Sequence, residues 1–320
     1  MLAHSRTLAL ASCLLAACST DADGEAVETD SGTEGPASES ASPSTSPGQS
    51  TQSASNTNAD AGTQGGEDGS SETGQPPPTT EGSGGAQELL EMSDEFDDPA
   101  ASETRWSFRH QVEGEDPQFS DFTFGDADDD RARMVPTRGG WYGAFKGPYL
   151  FQSIDGDFMI EAQVIAHRSG DEAQAPQQPY NSAGLLIRNR VDVGAPENWV
   201  LHHLGMHDPD GAGVGVERKI TRNSNSQLTL TANAFSGRIR ICRVGDQVVL
   251  TRRLDDENAF SISAEYDLQL DDEVQAGFSL TAWNSQTAEP DLSFDGDVVG
   301  VWDYVRYYRI SDVGACLDEV

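Results

Sequence analysis

Basic residues are scarce in this 320-residue chain: 20 Lys and Arg stand against 54 Asp and Glu, a formal net charge of −34. Arg6 contributes +1, residues 19–86 contribute −12, and the remainder, with 42 acidic and 19 basic residues, contributes −23. A surface so acidic, with no basic stripe, repels phosphate backbones and anionic headgroups, which excludes nucleic acid and direct membrane docking of the folded part. Uncharged sugars, cations and basic proteins remain as partners. Long apolar runs are missing too. The only sustained one, Leu8–Ala17, is shorter than the ~20 residues that span a bilayer. Also absent are a Gly-x-Ser-x-Gly elbow, a His-Glu-x-x-His pair and a Gly-rich phosphate loop, and with them the chemistries those motifs carry.

Residues 19–86 contain no Lys or Arg and hardly an aliphatic side chain larger than alanine. Such a segment buries too little apolar surface to offset roughly 1–2 kcal/mol of backbone entropy per residue, so it reads as a disordered tether. At about 5–6 Å × √n its reach is on the order of 40–50 Å. Before it, Arg6 and the short apolar stretch fit a secretory signal. The stretch ends Leu15-Ala16-Ala17-Cys18, which resembles the lipobox of bacterial lipoproteins. That resemblance implies a signal peptide over 1–17 and a lipidated Cys18 opening a linker over 18–87. It also implies a protein held at the bacterial cell envelope through its lipid alone. Ser19, with no Asp directly after the cysteine, resembles the pattern of outer-membrane lipoproteins. The other reading of the same residues is an ordinary signal peptide cleaved at a small-x-small site.

The folded part is expected over 88–320, one domain. It shows no internal repeat and no long helical periodicity. Phe158, Ile160, Ala162 and Val164 alternate with Met159, Glu161 and Gln163, the period of two of a half-buried strand. Further strands are expected at 183–188, 198–202, 227–232, 238–243, 247–251, 266–270, 274–283 and 302–310. Many short strands without helical interruption predict an all-β antiparallel sandwich or jelly roll. Cys242 and Cys316, the two cysteines left after Cys13 and Cys18, are expected to pair in an exported domain.

Ser93-Asp94-Glu95-Phe96-Asp97-Asp98 with Arg105-Trp106, and the closing Val301-Trp302-Asp303-Tyr304-Val305-Arg306-Tyr307-Tyr308, resemble the first and last segments of concanavalin A-like lectin/glucanase domains. Between them Gly147-Pro148-Tyr149-Leu150, Gly156-Asp157-Phe158, Ala183–Arg188 and Asn198-Trp199-Val200 follow non-catalytic relatives in order. The resemblance implies a concanavalin A-like jelly roll related to laminarinase-type domains. It further implies a structural Ca²⁺ joining the N-terminal segment to the last strand, with Asp303 and Glu95 as ligands, oxygen donors of the kind a hard cation takes.

The Glu-x-Asp-x-(x)-Glu run of the family's glucanases is absent. Asp255-Asp256-Glu257 and Asp271-Asp272-Glu273 lie between strands, and Glu161 stands alone on its own, so no carboxylate pair for glycoside hydrolysis is evident. His202, His203 and His207 cluster, but on a strand His202 and His203 point to opposite faces. The acidic loops Asp126–Asp130 and Asp208-Pro209-Asp210-Gly211 read as turns. Trp141 and Tyr142, in a Gly-rich loop, and Trp283, at a strand end, are candidates for stacking on sugar rings. Glu161, Gln163, Arg188 and His202 are expected on the face opposite the core as hydrogen-bonding partners. The leading expectation is non-catalytic binding of a glycan or polysaccharide. The alternatives are a hydrolase or lyase with a non-standard carboxylate pair, and an adhesive protein binding another envelope protein.

Overall fold

The computed structural model describes residues 85–125, 129–137, 139–190, 192, 194–208, 213–232, 234–283 and 297–320. The expectations for the signal, Cys18 and the tether as far as residue 84 lie outside the described residues, as do those for 126–128, 209–211 and the side chain of His207; Gln87, expected in the tether, begins the first strand.

Strands are numbered along the chain. One antiparallel sheet runs β13 (Ser261–Asp267), β12 (Gln247–Leu254), β11 (Ser236–Val244), β6 (Phe158–Arg168), β15 (Val298–Arg309), β4 (Ala132–Pro136), β3 (Phe119–Phe124), and β1 (Gln87–Glu88) pairs with β15. The other runs β10 (Asn225–Ala232), β9 (Gly213–Arg222), β8 (Trp199–Asp208), β7 (Asn181–Asn189), β14 (Glu273–Ala282), β5 (Tyr149–Asp155), β2 (Ser107–Phe108). The first is called sheet A, the second sheet B. The chain is thus an all-β sandwich of two antiparallel sheets.

The alternation expected in β6 is the one found. Phe158, Ile160, Ala162 and Val164 join the inter-sheet core with Leu185, Ile187, Val200, Phe278 and Trp302. Met159 points the other way, into a cluster with Cys242, Val249, Tyr308 and Cys316. There the C-terminal tail folds back over sheet A, and Cys242 is joined to Cys316 by a disulfide. Arg240 and Thr251 both donate to the Cys316 carbonyl, at 2.9 and 3.0 Å.

Several elements depart from the expectation. The strand placed at 266–270 is Ser261–Asp267, with Leu268 and Leu270 buried just beyond its end. Two short helices interrupt the strands, α1 (Pro99–Arg105) and α2 (Arg109–Glu113). The signal for α1 is local: the Asp98 carboxylate accepts from the Ala101 amide and Pro99 occupies the first turn, a common way to start a helix.

The segment ahead of α1 ties the two sheets together. Asp94 pairs with Val305 of β15 through both backbone bonds, and its carboxylate accepts from the Phe96 amide, the Ser102 hydroxyl and the Trp106 indole at 3.0, 3.0 and 2.8 Å. This sets Phe96 and Trp106 against Phe278 of sheet B, and Trp106 against Tyr307 of sheet A.

Candidate functional site

The outer face of sheet B carries the most elaborate side-chain arrangement among the described residues. β7 and β8 pair with Gly184 opposite His203, and β14 lies on the other side with Ser279 opposite Gly184. A Cβ on Gly184 would lie 2.7 Å from the His203 Cα and 2.8 Å from its ring. The glycine therefore leaves room for the imidazole to reach across β7, placing its Nε2 2.7 Å from the Ser279 hydroxyl. Its Nδ1 lies 3.1 Å from the Ser182 hydroxyl, which donates to Glu217 at 2.8 Å, and Glu217 pairs with Lys219 at 2.5 Å. These groups are buried, and their mutual hydrogen bonds make that burial tolerable.

Lys219 also donates to the Trp141 carbonyl at 2.7 Å, which fixes the Gly-rich loop over the sheet. Trp141 packs edge-on against Tyr149 and Trp199, above Leu186 and Leu201. Beside it opens a cavity of about 330 Å³, lined by Trp141, Tyr142, Tyr180, Lys219, Thr281 and Trp283, with Leu228 at one side. Tyr142 is 51% exposed. Tyr180 has a left-handed backbone, φ 52°, unusual for an aromatic residue, and its ring meets Trp283 edge-on at 6.3 Å.

Three of the residues expected from the sequence, Trp141, Tyr142 and Trp283, are therefore brought together. Trp141 is fully buried and forms a wall of the cavity. Tyr180, Lys219 and Thr281 were missed, because neither a positive φ nor a cross-strand neighbour is visible in one stretch of sequence.

The four polar residues expected on one outer face do not share one. Glu161 and Gln163 belong to β6 of sheet A. There Glu161 accepts from Arg240 at 2.5 Å and Tyr304 at 2.6 Å, and burial, reinforced by the carboxylate, drives the Tyr304 phenol well above its usual range. Arg188, on β7, does lie on the outer face of sheet B, buried beside Trp141 and Tyr149. It bonds Gln275 at 2.7 Å and pairs with Glu113 of α2. Lys146 bridges Glu113 and Glu197 at 2.8 and 3.4 Å. Burial raises the Glu113 pKa, but Arg188, Lys146 and Arg109 outweigh it and hold the carboxyl at about 2.

His202 points inward, its Nδ1 3.2 Å from the Arg240 carbonyl of sheet A and its Nε2 without a hydrogen-bond partner among the described residues. Burial lowers its pKa to about 3, with Arg218 and Arg252 adding to the effect. The unfolded chain therefore binds a proton near pH 6.5 that the folded chain refuses. Stability attributable to His202 is present at pH 7 and falls as pH drops from 6.5 towards 3. Between pH 7 and pH 5 the loss is expected to be about 2 kcal/mol, and a His202→Leu variant is expected to show a flatter pH profile in urea titrations over that range.

Glu95 and Asp303, the expected Ca²⁺ ligands, do not fit that role as they stand. Glu95 engages Arg306 with both oxygens, at 2.6 and 2.8 Å, and would have to release it to take a cation. Asp303 is exposed at a bulge in β15. Among the described residues no group of three or more His, Cys, Asp or Glu is placed to hold a metal.

No family model matches the chain, and no curated protein sequence matches it. Solved structures resemble it in shape. A functionally unknown protein from Saccharomyces cerevisiae shares 14% identity at a TM-score of 0.45, covering 63% of this chain and 96% of its own. A xylan beta-1,4-xylosidase from Bacillus halodurans shares 14% at a TM-score of 0.46, covering 68% of this chain and 39% of the xylosidase. A pseudo beta-1,3-glucanase of Mycobacterium tuberculosis shares 12% at a TM-score of 0.42, covering 68% and 97%. Likenesses of this degree concern the β-sandwich alone and identify no ligand.

Proposed function

We propose that this protein is a lipid-anchored, non-catalytic glycan-binding protein of the bacterial cell envelope, held by Cys18 and a long tether. The observation that carries the binding reading is the aromatic cavity on sheet B. Its volume lies within the usual range for small-ligand sites, roughly 300–1,000 Å³. Four aromatic residues line it, with Lys219 and Thr281 as the polar groups that give orientation. Flat rings flanking a few fixed donors suit the apolar faces and equatorial hydroxyls of a sugar.

A hydrolase reading meets an electrostatic obstacle. Glu113 shares the Lys146 ammonium with Glu197 and an Arg109 nitrogen with Glu115, so it belongs to both carboxylate pairs beside this face. Glycoside cleavage needs one carboxylic acid to protonate the leaving oxygen. Glu113, held at about 2, carries no proton to donate at neutral pH.

A glycan-array screen of the purified chain tests the proposal. Saturable binding to a defined set of neutral or cationic glycans is expected, with anionic glycans absent from that set. Binding to no glycan would overturn it and shift the weight to a protein partner at the envelope.

A further inference from the structure

The aromatic cavity has a neighbour. The segment Tyr142–Phe145 forms a tight turn, with the Phe145 amide donating to the Tyr142 carbonyl at 2.9 Å. The Gly143 amide, at φ 61°, donates to the Ser226 hydroxyl of β10 at 2.7 Å, so the turn is pinned to the sheet edge. Tyr142 lines the aromatic cavity, and Phe145, 40% exposed, lines a second one of about 810 Å³ together with Asp116, Lys146, Glu197 and Asn223. A rigid ridge with an aromatic ring on each flank can hold two parts of one chain.

The second cavity has an acceptor left over. Glu197 is 1% exposed, and its backbone is locked by the β9–β10 turn: its amide donates to the Ser224 hydroxyl at 2.9 Å, and its carbonyl accepts from the Ser224 amide at 2.8 Å. Its Oε2 has no hydrogen-bond partner among the described residues. The cations nearby stand back, Arg188 at 3.8 Å from Oε2 and Lys146 at 3.4 Å from Oε1, with Lys146 held closer by Glu113 at 2.8 Å. A buried carboxylate oxygen without a hydrogen-bond donor is costly, and an ammonium supplies the donors that Arg188, whose own Nη1 also lacks a hydrogen-bond partner among the described residues, holds too far off at 3.8 Å. Asp116 at the cavity wall, and the −23 formal charge of the chain beyond residue 86, add a field that favours cations.

We infer that the ligand is a linear chain spanning both cavities, and that the second cavity selects a sugar carrying a free, protonated amine. The inference rests on the glycan-binding reading above and goes beyond it by naming the chemistry of the adjoining unit. Uronate and sulfated chains are rejected by the same charges.

Calorimetric titration of the full chain with oligomers of glucosamine and of N-acetylglucosamine, in mildly acidic buffer of low ionic strength, tests this. The glucosamine chain is expected to bind at least about tenfold more tightly, the effect of one hydrogen bond to a charged group. Glu197→Gln and Asp116→Asn are each expected to shrink that ratio, and added salt to shrink it further. Tyr142→Ala is expected to weaken both oligomers alike. Equal affinity of the wild type for the two oligomers would overturn the inference while leaving glycan binding intact. Binding of neither would also overturn the inference, while the glycan array decides the glycan-binding reading. Should Glu197→Gln fail to fold, a preference unmoved by Asp116→Asn and by salt would equally overturn it.

Discussion

Asp94→Ala is expected to destabilise the folded chain by about 3–5 kcal/mol in urea titrations, the range for breaking a buried charged group away from its partners. The carboxylate is 3% exposed and accepts from a backbone amide, a hydroxyl and an indole, with Arg105 also 3.0 Å away. Alanine leaves all of these donors facing a small void between the two sheets. Phe96, held at φ 59° with its amide on Asp94, loses the contact that maintains its left-handed backbone. Trp106 loses the anchor that presents its ring to Phe278 at 4.8 Å. Asp94→Asn, which keeps the shape and one acceptor, is expected to cost clearly less. Equal stability of Asp94→Ala and wild type would show that the N-terminal strap does not join the sheets.

Reduction of the Cys242–Cys316 disulfide is expected to be the other large effect, about 2–5 kcal/mol. The bond closes 74 residues of separation, so much of its contribution is restriction of the unfolded chain. A native-state contribution adds to this, since the tail it holds covers Met159, Val249 and Tyr308. Freed, the tail also withdraws the Cys316 carbonyl from Arg240 and Thr251. Thermal unfolding with and without reductant, compared with the Cys242→Ser/Cys316→Ser double variant, measures it. Identical melting temperatures in all three would contradict the assignment of the tail as a stabilising cover.

What the sequence made legible was local. The period of two in β6 placed its core residues correctly, because that face meets the other sheet; its opposite face, with Met159 and Glu161, is buried as well, against the C-terminal tail and its neighbours. β8 misled for a physical reason. Val200, His202 and Leu204 face the core, but Trp199 and Leu201 are buried as well, under the loop that carries Trp141. With both faces apolar, alternation cannot say which way His202 points. Glu161 and Arg188 sit on different sheets because pairing order in a sandwich is set by contacts between residues far apart in sequence. Trp141 and Trp283 could be proposed from composition. Their meeting depends on the Lys219 bond to the Trp141 carbonyl and on the backbone turn at Tyr180, neither of which leaves a periodic trace.

The central claim is that a sugar ring sits in the cavity beside Tyr142. Its most direct test is the dissociation constant of the best oligosaccharide from the array for wild type and for Tyr142→Ala, with melting temperatures recorded alongside. Tyr142 is half exposed, so its removal is expected to leave the melting temperature within a few degrees. Loss of one stacking ring is expected to weaken binding at least about tenfold. Unchanged affinity in a stably folded Tyr142→Ala chain would place the ligand elsewhere and contradict the account.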